Sequence, residues 1–128
     1  MPRGIHRGHP PDSPLALRIL FIADVVGAPG RGAVEARLRG LRAELGADAC
    51  VLNGENLADG VGITPRLAER VLAAGADVIT LGNHAFRRNE IGPYLDSSDR
   101  VIRPANTSVH SPGRAAVDDG QDYDSTQP

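Results

Sequence analysis

Asp77-Val78-Ile79-Thr80-Leu81-Gly82-Asn83-His84 decides how the chain is read. Its apolar, β-branched centre is bounded by Gly75 and Gly82, which predicts a short buried strand from Asp77 to Leu81. Asn83 and His84 then stand just beyond the C-terminal end of that strand. In open α/β sheets this edge is where ligands bind.

Working upstream, Thr64-Pro65 supplies an N-cap and a first-turn proline for a helix that buries Leu67, Val71 and Leu72 and stops at Gly75. Before it lies a turn-rich loop, Leu57 to Ile63, with Asp59, Gly60 and Gly62. That loop follows a second apolar run, Ala49-Cys50-Val51-Leu52, which leads into Asn53-Gly54-Glu55-Asn56 and so places an acid at a strand tip. A helix is predicted from about Gly32 to Leu45, because Val34, Leu38, Leu41 and Leu45 recur at helical spacing, and Gly46 can close it. The first strand is Leu17-Arg18-Ile19-Leu20-Phe21-Ile22, ending at Ala23-Asp24, with a loop at Val25-Val26-Gly27-Ala28-Pro29-Gly30.

Downstream, a short helix is expected around Asn89 to Leu95, interrupted by Gly92 and Pro93. Val101-Ile102 is a candidate fourth strand, closed by Arg103-Pro104-Ala105-Asn106. The composition divides the chain into a flexible extension over residues 1–16, a domain over residues 17–112 and a disordered tail over residues 113–128. His6 and His9 fall in the extension and are assigned no role. The expected architecture is a βαβαβ layer with right-handed crossovers.

Composition narrows the function. The chain has 128 residues, enough for one modest core, with 41% hydrophobic residues, 3% aromatic residues and a net charge of −2. Few aromatic platforms and no basic field argue against long nucleic acid as a partner. All 14 cationic residues are Arg, and the pair Arg87-Arg88 is expected to be solvated surface. Cys50 is the only cysteine, which excludes an intrachain disulfide and suits a reducing, cytoplasmic setting; it reads as a small buried hydrophobe. No stretch is long enough to span a bilayer.

Right-handed βαβ units bring strand C-termini to one edge, so Asp24, Glu55, Asn56, Asn83 and His84 are expected to gather there from three strands. Carboxylates, amide oxygens and an imidazole suit a divalent metal such as manganese, iron or zinc. The plainer alternative has Asp24 capping the next helix, Glu55 solvated, and Asn83 and His84 forming a turn. A third reading makes Gly27-Ala28-Pro29-Gly30-Arg31-Gly32 a phosphate loop, but it lacks the Gly-Lys-Ser/Thr of a P-loop and the dinucleotide fingerprint.

Four segments in order carry a resemblance: Arg18 through Asp24 to Gly27, Asn53-Gly54-Glu55-Asn56, Ile79 through Gly82-Asn83-His84, and Arg103-Pro104-Ala105-Asn106, followed by Pro112-Gly113-Arg114. Together they resemble the N-terminal half of bacterial calcineurin-like metallophosphoesterases, in the sub-branch of 2′,3′-cyclic-nucleotide phosphodiesterases. The resemblance implies the N-terminal βαβαβ half of an α/β sandwich and a hydrolase acting on a small phosphodiester or cyclic nucleotide. It implies two divalent metal ions (iron, manganese or zinc), with Asp24 on the first, Glu55 bridging both, Asn83 on the second and Asn56 supporting the site. His84 would be the catalytic residue beside the phosphate.

Two departures qualify what the resemblance implies. The family continues from Gly-Asn-His with an aromatic residue and then an acid, where this chain has Phe86 and Arg87. Family members are also about twice as long, and their second half resembles a second sheet that contributes three metal-binding histidines. After His84 this chain has only His110, so a truncated site with reduced or single metal occupancy is expected. An exposed sheet face and edge would then favour association or a homo-oligomer. The alternative function is a catalytically inactive fragment or interaction module that retains the half-fold.

Overall fold

The computed structural model describes residues 16–117. The histidines of the N-terminal extension and most of the C-terminal tail lie outside the described residues. Four strands, β1 (Ile19–Ile22), β2 (Ala49–Asn53), β3 (Val78–Thr80) and β4 (Val101–Ile102), form one parallel sheet in the order β1-β2-β3-β4. Helices α1 (Gly27–Leu45), α2 (Pro65–Ala74) and α3 (Ile91–Ser97) connect them.

The strand order places each crossover one step along the sheet in the same direction. Right-handed connections of that kind stack all helices on one face. The burial pattern agrees. Register aligns Ile22 with Leu52, Leu52 with Ile79, and Ile79 with Val101, a row that runs across the sheet beneath the helices. Leu52, Ile79 and Val101 are fully buried, and each such side chain contributes about 1.5–3 kcal/mol. Val34 and Leu38 of α1 and Ala68 and Val71 of α2 join the same core. Side chains one residue out of phase face the other way: Ile19 is 58% and Phe21 57% exposed, and Leu17 just before β1 is 66% exposed.

Helix ends follow local chemistry, with one correction. Thr64 caps α2 by accepting from the Leu67 N–H at 3.3 Å, and Gly46 ends α1 in the left-handed region at φ 62°. Helix α1, however, begins at Gly27, five residues before the predicted Gly32. Pro29 explains this: in the first turn its missing N–H removes no helical hydrogen bond and its fixed φ favours the helix. The same reasoning applies to Pro93 in α3, which falls in the first turn and so starts that helix instead of interrupting it. The proposed phosphate loop over residues 27–32 is therefore helix.

The two edges of the sheet differ in character. At the N-terminal edge, Arg42 pairs with Asp77 at 2.9 Å and donates to the Gly75 carbonyl at 2.7 Å, while Asp77 accepts from the Cys50 N–H at 2.8 Å. Arg100 donates to the carbonyls of Ala76 and Asp77, both at 2.8 Å. These bonds saturate carbonyls where strands begin, and they leave the candidate chemistry to the opposite edge.

Candidate functional site

The C-terminal edge is assembled by backbone bonds that stitch successive strand tips together. Val25 N–H donates to Asn53 O at 3.2 Å, Gly27 N–H to Asn56 O at 3.0 Å, and Gly54 N–H to Thr80 O at 2.9 Å. These contacts bring the segments after β1, β2 and β3 side by side. Asp24, Glu55, Asn56 and His84 accordingly meet, as the spacing predicts.

Asp24 does not cap α1; the N-cap residue is Val26, with no side-chain capping bond. Asp24 instead adopts φ 44°, a left-handed conformation uncommon for a residue with a Cβ, and its Oδ1 accepts from Asn56 Nδ2 at 2.7 Å. That bond fixes the Asn56 amide, because a carboxylate offers acceptors to the amide nitrogen. The Asn56 Oδ1 then faces His84 Nδ1 at 2.6 Å, so Nδ1 carries the proton and donates. The consequence is chemical: Nε2 is the ring atom left to take up or release a proton.

Glu55 is held from the other side. Its Oε2 accepts from the His84 backbone N–H at 3.3 Å and lies 3.9 Å from His84 Nδ1. A Cβ at residue 82 would collide with both Glu55 carboxylate oxygens, so only glycine leaves room for this carboxylate. Asn83 is exposed at the start of the turn over residues 83–86, where Ala85 N–H bonds back to Gly82 O at 3.0 Å.

The donor set has the right chemistry for a hard or borderline divalent cation, with two carboxylates and the Asn83 amide on one edge. It is a partial set. Among the described residues no three His, Cys, Asp or Glu side chains lie close enough together to hold a metal ion. His110 is exposed, and its backbone N–H donates to Ser108 Oγ at 3.2 Å.

Sequence reading missed the side chains that shape the surroundings. Arg88, expected to be solvated, is half-buried and donates to Val61 O at 3.1 Å and Ala58 O at 3.0 Å; Arg31 reaches Leu57 O. These two arginines clamp a loop whose Leu57 and Ile63 are fully buried. Arg87 remains exposed. Arg103 organises the segment after β4, donating to Thr107 Oγ1 at 2.7 Å and to Gly113 O at 3.3 Å. The chain returns to the sheet there, with Arg114 bridging Ile102 in parallel. Between this segment and the turn after β3 lies a groove of about 370 Å³, whose walls include Leu81, Phe86, Pro104, Asn106 and Thr107 and which opens onto Gly82 and Asn83. An arginine followed by Pro and Asn was the signal available for it.

Comparison with known proteins agrees with this fold. The chain is 40% identical over 98 residues to a 2′,3′-cyclic-nucleotide 2′-phosphodiesterase of Bacillus subtilis, a match covering 77% of this chain and 37% of the relative. A crystal structure of a hypothetical protein from Thermus thermophilus superposes with a TM-score of 0.71 at 39% identity, over 77% of this chain and 38% of that one. A phosphatase from Mycoplasma pneumoniae superposes with a TM-score of 0.70 at 28% identity, over 77% and 36%. The chain thus spans little more than a third of the length of the relatives it matches. The sequence pattern of YmdB-like proteins matches residues 20–119, and the chain belongs to that family.

Proposed function

We propose that this chain carries the carboxylate and phosphate-facing part of a metal-dependent phosphodiesterase acting on small phosphodiesters such as 2′,3′-cyclic nucleotides. The observation that supports the reading most is the Asp24–Asn56–His84 hydrogen-bond chain beside Glu55 at the C-terminal sheet edge. The names of the relatives point to the same reaction class.

Asp24, Glu55 and Asn83 are the residues that would hold divalent cations, with Asn56 supporting the site through its amide. Such cations, when bound, supply positive charge against phosphoryl oxygens and acidify water. The role of the chain's own groups follows from their bonds. Asp24 fixes the Asn56 amide, and Asn56 fixes the His84 ring with its proton on Nδ1. His84 Nε2, when protonated, gives its proton to the departing ribose oxygen as the P–O bond to that oxygen breaks and the bond from water oxygen to phosphorus forms, and the proton that this water sheds passes to solvent. The product is a phosphomonoester with a free hydroxyl.

Purified chain with manganese and a 2′,3′-cyclic nucleotide tests this reading. Expected are manganese binding that weakens in Glu55→Gln and hydrolysis that falls about 100-fold or more in His84→Ala. The second reading, a non-catalytic module that keeps the half-fold, is favoured by the partial donor set and the uncovered face around Ile19 and Phe21. Manganese binding without turnover would select it.

A further inference from the structure

The groove beside the site differs from it in chemistry. Its lining includes Leu81, Phe86, Pro104, Asn106 and Thr107, and none of its lining residues is charged. A phosphate group has no cation to meet there. Phe86 is 40% exposed even though aromatic residues are scarce in this chain. Its ring belongs to the turn that also carries Asn83 and His84, so the groove is continuous with the position assigned to the phosphate.

The opposite wall is rigid for an identifiable reason. Thr107 Oγ1 accepts from Arg103 at 2.7 Å and donates to Pro104 O at 2.7 Å, so its hydroxyl is used within the loop. Asn106, next to it, is exposed, and among the described residues its side-chain amide has no hydrogen-bond partner. The groove therefore offers an aromatic residue, apolar neighbours, and the Asn106 amide, able both to donate and to accept, on a held backbone. A planar, uncharged heteroaromatic ring with donors and acceptors on its edge matches that surface.

We infer that this groove is the nucleobase subsite: the base stacks on Phe86 and bonds to Asn106 while the phosphodiester lies at Asn83 and His84. The inference rests on the phosphodiesterase reading and adds to it which part of the substrate distinguishes a nucleotide from other diesters. Specificity then comes from β3 and β4 loops that hold none of the carboxylates.

The test compares adenosine 2′,3′-cyclic monophosphate with methyl riboside 2′,3′-cyclic phosphate, which has the same diester and no base. Both are titrated into the full chain, with chelator present so that neither is consumed, and followed by backbone amide NMR. The nucleotide is expected to bind about tenfold more tightly, the scale of one base–aromatic stack, and to shift the amides of Phe86 and Asn106. Phe86→Leu should abolish the difference by weakening only the nucleotide, and Asn106→Ala should reduce it. Equal affinity, no binding of either compound, or equal weakening of both by Phe86→Leu would overturn the subsite. Hydrolysis assays with manganese separate the two ideas. Turnover of both compounds at equal rates retains the phosphodiesterase and rejects the subsite, whereas selective nucleotide binding without turnover of either does the reverse.

Discussion

Gly82 and Asp24 carry the sharpest consequences at the scale of single residues. A methyl group at position 82 collides with both oxygens of Glu55, so Gly82→Ala must displace that carboxylate. The expected result is loss of manganese binding, read by calorimetry, with a folded circular dichroism spectrum. Asp24 is held at φ 44°, where a glycine is at ease and a side chain is strained by about 1–3 kcal/mol. Asp24→Gly should therefore leave the urea midpoint unchanged or raised while any hydrolysis is lost; a marked fall in stability would show that Asp24 is structural. Cys50 gives a pH prediction. Burial pushes its thiol above the ordinary 9.0, more than the opposing Arg42 charge lowers it. A raised folded pKa means the associated stability is kept below 9.0 and falls as pH rises from there, because the unfolded thiol releases its proton first. Urea unfolding from about pH 8 to about pH 10 should show that slope, and Cys50→Ala should flatten it.

Elements differ in how much of them the residues announced. Strand β2 and helix α2 were legible because Ala49 to Leu52 is a bounded apolar run, and Thr64, Pro65 and Gly75 mark both helix ends. The start of α1 was not, because Gly27 and Gly30 signal a turn, and only their spacing from Pro29 makes them a first helical turn. The gathering of Asp24, Glu55 and His84 followed from strand order. Their pairing through Asn56 did not, since it depends on the Asp24 backbone turning into the left-handed region. The clamp on residues 57–63 was equally hidden, because an arginine that bonds to carbonyls looks in sequence like one that is solvated. Arg88→Ala removes two such bonds, at 3.1 and 3.0 Å, and should cost about 1–3 kcal/mol, with faster amide exchange confined to that loop. Loss of protection across the whole chain would contradict a local role.

For the molecule as a whole, the decisive feature is that, among the described residues, helices cover one sheet face while Ile19 and Phe21 on the other are exposed. Leu52→Ala, on the helix-covered face, should cost about 2–5 kcal/mol in chemical denaturation. Phe21→Glu, on the open face, should cost far less and should reduce binding of a hydrophobic dye. Among the described residues no helix is long and apolar enough to cross a membrane. The chemistry proposed for the C-terminal edge of the sheet is tested most directly by one comparison. Hydrolysis of a 2′,3′-cyclic nucleotide by the purified chain is measured with manganese and with manganese withheld, alongside Glu55→Gln. Turnover is expected to require both the metal and Glu55; turnover unaffected by either, or none in the parent chain with manganese present, would rule out metal-dependent hydrolysis at this edge.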